Sequence, residues 1–152
     1  MIRPLSIHDI PAMMPLAHEM HRNGVYAGYE LDEGQTEHIL QALIEHPDVF
    51  TMGAFKGDEL IGAMLGEIVR DLWVKVTIAI DHIFYIGEEH RGSADGVKLI
   101  RLFEQWALQK GADVVRPVVY AGIDNEKVGT MIERMGYAVA GGVYKKELGP
   151  CA

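Results

Sequence analysis

Residues Glu88–Ile100 read EEHRGSADGVKLI. An arginine, two glycines and several small residues lead into a helical pattern. The chemistry open to such a turn is anion binding. The first amides of a helix have no partner within it, and they carry the positive end of its dipole, roughly half a charge. Gly92, Ser93, Ala94 and Gly96 are small enough to let a ligand approach the backbone. Arg91 adds a fixed positive charge, and Asp95 opens the helix. The set suits a phosphate or pyrophosphate. The plainer alternative is an ordinary strand-to-helix turn that Ser93 or Asp95 caps. Glu88 and Glu89 lean that way, because they oppose an anion unless they point elsewhere. No Gly-Lys-Ser/Thr follows the glycines, so this is not a kinase-type P-loop, and the spacing does not fit a dinucleotide fingerprint.

The elements around the turn follow from periodicity. The opening IRPL reads as a short edge strand. Ser6, with Asp9 three residues on, starts a helix that should run to about His21. Its apolar face is Ile10, Met13, Met14 and Ala17, and Pro15 should bend it. A Gly- and Tyr-rich loop covers Asn23 to Gly34, and a second helix about Gln35 to Glu45. Asp48 to Val69 reads as a hairpin turning at Lys56-Gly57-Asp58-Glu59. The run from Trp73 to Ile86, WVKVTIAIDHIFYI, is rich in β-branched and aromatic residues and predicts the longest strand. Asp81 and His82 interrupt it, and alternation puts them on opposite faces. Ser93 to Lys110 is the next helix, with Leu99, Leu102, Phe103 and Trp106 as a core stripe and Gly111 as its stop. A strand (about Asp113 to Tyr120), a helix (about Asn125 to Met135) and a closing hairpin (Tyr137 to Leu148, turning at Gly141-Gly142) complete the chain. The order β-α-α-β-β-β-α-β-α-β-β predicts an α/β fold around a mixed sheet.

Bulk properties narrow the partners. A chain of 152 residues is expected to be one domain, spanning residues 1–152. Its net charge of −8 argues against nucleic acid, which demands a basic footprint, and fits a cationic partner better. The lone cysteine, Cys151, can form no internal disulfide, which suits a reducing compartment. No apolar run approaches a membrane span, and the start carries no signal-peptide core. The expectation is a cytoplasmic protein without membrane or metal. Pairing across a strand edge could make a homodimer, which no motif decides.

The turn resembles the acyl-CoA loop of the GNAT N-acetyltransferase superfamily, whose pattern is Arg/Gln-x-x-Gly-x-Gly/Ala. Here it reads Arg91-Gly92-Ser93-Ala94-Asp95-Gly96, with Ala94 in place of the pattern's first glycine. A second family element, Asn-x-x-Ala-x-x-x-Tyr-x-x-x-Gly-Phe, falls on Asn125, Val128, Ile132, Gly136 and Tyr137. The resemblance implies a seven-stranded, mostly antiparallel, V-split sheet flanked by helices, with CoA in the split. It also implies direct transfer of an acetyl group from acetyl-CoA to an amine acceptor, either a small molecule or a protein.

Several roles follow from that resemblance. The amides of Arg91 to Gly96 hold the pyrophosphate, and Asn125 contacts CoA, or else only caps its helix. Backbone amides near Tyr85 and Ile86 serve the thioester carbonyl. The amine must lose a proton before it attacks, and Asp81, His82 and Glu67 are the candidate bases, with a water relay as the alternative. The family's tyrosine acid falls on Ile132, which has no proton to give. Tyr120, Tyr137 or Tyr144 could substitute, or the thiolate could leave unaided. Tyr26, Tyr29, Glu30, Asp32 and Glu33, in the connection between the first two helices, suit a cationic amine, although an acidic solvated loop explains them as well. The alternative function is a CoA-binding or protein-interaction module without turnover.

Overall fold

A computed structural model of the chain describes residues 1–119 and 124–149. Its elements are β1 (Ile2–Pro4), α1 (Ile10–Asn23), α2 (Glu33–Glu45), β2 (Phe50–Lys56), β3 (Glu59–Arg70), β4 (Thr77–Ile86), α3 (Asp95–Gln109), β5 (Val114–Arg116) and α4 (Asn125–Arg134). Among the described residues they build a five-stranded sheet in the order β1-β2-β3-β4-β5. Every pairing is antiparallel except β4 with β5, which is parallel. The mixed α/β fold with a mostly antiparallel sheet is therefore as expected.

Helices cover both faces. On one face α3 packs through Leu99, Ile100, Phe103 and Ala107, and Ile132 of α4 joins the same cluster. On the other, Met13 of α1 and Leu40 of α2 pack with Leu5, Phe55, Leu60, Ala63 and Leu65. The expected α3 stripe is rotated slightly: Leu102 and Trp106 border the cluster, while Ile100 and Ala107 sit inside it. β3 comes close enough to α3 that a Cβ at Gly66 would stand 2.7 Å from the Phe103 ring and 2.6 Å from the Ile80 carbonyl oxygen. Only a glycine allows that approach.

Several boundaries need correction. β4 begins at Thr77, not Trp73. Asp71 ends the preceding strand region by accepting from the Trp73 and Val74 amides, at 2.8 and 3.0 Å, and this turn leaves Leu72, Trp73 and Val74 exposed. β5 is only Val114–Arg116, shorter than the expected strand. Ser6 heads a short 3-10 turn, Ile7–Asp9, and α1 starts after it and runs on through Pro15. Among the described residues, 137–148 carry no strand, so the closing hairpin and the seven-strand count do not hold. Val139, Val143, Tyr144 and Leu148 stand exposed there. A hairpin with no apolar face to bury is marginal at best.

The start of α1 is tied to β1 by charge. Arg3 donates from both terminal nitrogens to Asp9, at 3.0 and 2.7 Å, and the Ser6 amide and hydroxyl donate to the same carboxylate. The Arg3 fork holds the Asp9 carboxyl well below the usual carboxylate range; burial opposes it and Ser6 assists. A depressed native pKa stabilises the fold fully above the unfolded value, about 3.9, and the contribution is lost as pH falls through the native value. Asp9→Asn should therefore lower the urea midpoint at pH 7, and the gap to the parent protein should narrow steadily below about pH 4. Urea titrations at pH 7, 4 and 3 measure this.

Candidate functional site

The site forms where β4 ends. The Gly87 amide donates to the Ile61 carbonyl at 2.9 Å, which closes the strand pairing with β3. A short 3-10 turn, Glu88–His90, follows, and Gly92 then takes φ +85°, a left-handed conformation that favours glycine. Ala94 occupies the cap position of α3, with no capping side chain. Ser93 Oγ reaches only the Asp95 amide, at 3.4 Å. Neither Ser93 nor Asp95 caps the helix in the expected way. Among the described residues, the amides of Gly92, Ala94, Gly96 and Val97 donate to no acceptor. Gly96 is buried, and a Cβ there would rest 3.5 Å from both Phe84 and Ile86. The turn thus presents backbone N–H groups at the positive end of a 15-residue helix.

Arg91 does not extend into solvent. Its guanidinium donates to the Tyr85 hydroxyl at 3.0 Å, to the Ile86 carbonyl at 3.4 Å and to Asp124 at 3.3 Å. The Tyr85 hydroxyl in turn donates to Glu19 of α1 at 2.6 Å, and the Glu88 amide donates to the same Glu19 oxygen at 2.7 Å. Burial first, and the Glu19 hydrogen bond second, push the Tyr85 hydroxyl up to about 12. Burial would also raise the Glu19 carboxyl, but Tyr85, the Glu88 amide and the charges of Arg91 and Arg22 together hold it below its ordinary value. Sequence reading missed Glu19 and Asp124. Glu19 sits on a surface helix, and nothing in its spacing marks it. Asp124 has φ +46° and takes the cap position of α4 that Asn125 was expected to fill; Asn125 is exposed in the first turn.

Beside this turn the sheet opens. β4 and β5 pair only at Ile78↔Val114, Ala79↔Val115 and Ile80↔Arg116. At the next position Asp81 accepts a hydrogen bond from the Val118 amide at 2.9 Å, in place of a ladder bond. Burial raises the Asp81 carboxyl above its ordinary value, against that hydrogen bond. A bulge falls at the same place. The register with β3 passes from Leu65↔Ile83 to Gly66↔Asp81 and leaves His82 as the extra residue. His82 Nε2 lies 2.9 Å from Glu67 Oε1. Side-chain parity shifts by one across the bulge: Ala79 and Phe84 belong to the α3 face, while Ile83 belongs to the α1 face. Asp81 and the His82–Glu67 pair accordingly lie on opposite faces.

Strand geometry also sorts the two candidate amides at the end of β4. Successive residues of a strand point their N–H groups to alternate edges. Gly87 donates toward β3. Tyr85 therefore does so too, and Ile86 faces the open edge, where its carbonyl meets Arg91. Of the tyrosines, Tyr137 donates to Glu104 at 2.8 Å and its hydroxyl is pushed strongly upward by burial and by that carboxylate. Tyr144 is 96% exposed. Tyr120 lies outside the described residues. Ile132 is a core residue of α4. Beyond the turn, an open groove of about 680 Å³ runs along α3 and α4, lined by Val97, Lys127, Thr130, Met131 and Arg134 among others.

The model of the acetyltransferase (GNAT) family matches residues 11–137. The chain belongs to the GNAT acetyltransferase family. No curated protein matches it. Solved structures share the fold of this GNAT chain. An aminoglycoside 6'-N-acetyltransferase from Acinetobacter haemolyticus is 18% identical, with TM-score 0.73 and coverage of 98% of this chain and 99% of that one. A ribosomal-protein-alanine N-acetyltransferase from Brucella melitensis biovar Abortus is 16% identical, with TM-score 0.69 and coverage of 97% and 99%. A transcriptional regulator from Bacillus halodurans is 14% identical, with TM-score 0.77 and the same coverage. Among the described residues of the GNAT chain there is no cluster able to hold a metal ion, and no helix is long and apolar enough to cross a membrane.

The Asp81–Val118 contact gives a test of what opens the sheet. Asp81→Asn keeps an acceptor for the Val118 amide and should leave stability nearly unchanged. Asp81→Ala removes it and should cost about 1–3 kcal/mol, measured by urea unfolding at neutral pH.

Proposed function

We infer that this GNAT chain is an acetyl-CoA-dependent N-acetyltransferase that acts on a primary amine by direct attack. The observation that carries the reading is the row of amides at Gly92, Ala94, Gly96 and Val97 that have no acceptor among the described residues, beside the edge of β4 that has no strand partner among them. Those amides and Arg91 would hold the diphosphate. Lys127 and Arg134 in the adjoining groove, with Asn125 at the start of α4, suit a phosphorylated tail. GNAT proteins generally use acetyl-CoA, which supplies an acetyl group already activated as a thioester. The Ile86 amide, facing the open edge, is the donor for a carbonyl oxygen that gains negative charge as the amine attacks.

Proton removal falls to the His82–Glu67 pair. It stands on the α1 face, away from α3 and the anion turn, so an acceptor can approach from the side opposite the cofactor. An alkylammonium has a pKa of about 10.4, and only its neutral form attacks. Glu67 orients the imidazole through its 2.9 Å contact with Nε2. Asp81 is then a positioning residue: it holds the chain just past β5, through the Val118 amide, at the point of parting. The departing thiolate needs no protein acid, since a thiol of pKa about 8.5 is a competent leaving group near neutrality. That agrees with Ile132 standing where a tyrosine would otherwise donate. The same Ile132 favours a second reading, a CoA-binding module without turnover.

Calorimetric titration should show acetyl-CoA binding that Gly92→Val weakens, because valine resists the left-handed backbone. Glu67→Gln and His82→Gln should keep that binding and lower kcat about a hundredfold or more on an amine panel. Absence of acetyl-CoA binding would sink the reading; binding with no turnover on any amine leaves the second one.

A further inference from the structure

The α1–α2 connection and the C-terminal segment meet in a small cation box. Lys145 Nζ donates to the Val25 carbonyl oxygen and, at 2.7 Å, to Glu147. The same ammonium stands 5.4 Å from the centre of the Tyr26 ring. The Tyr29 hydroxyl donates to the other Glu147 oxygen and fixes the carboxylate. The two tyrosines meet edge to face, with centroids 6.4 Å apart. A carbonyl, a carboxylate and an aromatic face converge on one primary ammonium, which is the pattern that recognises an alkylammonium ligand.

This box cannot be where the attacking nitrogen sits. Its groups favour the charged form of an amine, and a charged amine does not attack. It suits instead a second amine that stays protonated while the first reacts. In the last turn of α1, His21 Nε2 and Asn23 Nδ2 are shielded from solvent and have no hydrogen-bond partner among the described residues. Shielded polar atoms without partners are uncommon in folded proteins, and they lie in the helix that leads into the box.

We propose that this box is a subsite for the distal primary ammonium of an acceptor bearing two or more amines, and that Lys145 holds its place in the free chain. The substrate-class part rests on the acetyltransferase reading above; the ammonium site does not. A diamine enters by displacing Lys145, whose flexible stem lets it swing out to solvent, while Tyr29 keeps Glu147 in position.

The test is a chemical-shift titration with 1,5-diaminopentane, without acetyl-CoA, on the parent chain, Lys145→Met and Glu147→Gln. Lys145→Met vacates the box and should tighten binding about three- to tenfold; Glu147→Gln should weaken it by a similar factor. Matching thermal midpoints confirm that all three proteins are folded. Unchanged affinity in both variants overturns the subsite. In acetyl transfer, Lys145→Met should lower KM for 1,5-diaminopentane and leave kcat alone, and 1-aminopentane should be a poor substrate that competes with the diamine. Equal KM and kcat for the two amines overturns the substrate class. Failure to bind acetyl-CoA would refute the acetyltransferase reading separately, since the shift titration reads the box without it.

Discussion

The parting of β4 from β5 after Ile80 governs the rest of the structure. A strand that loses its neighbour leaves backbone groups that must find other partners. The chain meets this need differently at each end of the gap. Near the fork, the Asp81 carboxylate takes the Val118 amide. At the far end, Arg91 takes the Ile86 carbonyl. Between them the edge of β4 stays without a strand partner among the described residues, and the bulge at His82 falls in the same stretch. The opening of the sheet, the displaced histidine and the amide-rich turn thus follow one another along the stretch where β4 outruns its parallel neighbour.

The two faces of the sheet divide the labour, and one side chain bridges them. α3 and α4 bring the unpaired amides and basic side chains to one face. α1, α2 and the His82–Glu67 pair occupy the other. Glu19 connects the two: it rises from α1, takes the Tyr85 hydroxyl and fixes the Glu88 amide at the start of the turn. Tyr85 then supports Arg91. The geometry of the anion turn therefore depends on a helix far from it in sequence.

Much of this was legible in the residues. The turn could be read because small residues and an arginine lead from a strand into a strong amphipathic helix, and several of its amides have no acceptor among the described residues. The opposite placement of Asp81 and His82 also held, since their own step along the strand lies ahead of the displaced parity. What lay hidden was non-local. Glu19 and Asp124 act through partners 66 and 33 residues away, and periodicity carries no trace of such contacts. Trp73 belonged by composition to the strand, but Asp71 captured the following amides and turned the chain first. The closing hairpin had the right residues for strands, but Val139, Val143, Tyr144 and Leu148 stand exposed, and β-propensity without burial does not make a sheet.

The contact between Arg91 and Asp124 bears on how ionic strength acts here. An anion that takes the Arg91 nitrogen facing Asp124 exchanges one ion pair for another, and no bare cation is neutralised. Added electrolyte screens the internal pair as well as the incoming one. The two effects offset each other, and affinity for a doubly charged guest should fall less steeply with salt than its charge alone would suggest. Asp124 is not stranded afterwards, because Lys127 already stands 3.8 Å from its other oxygen.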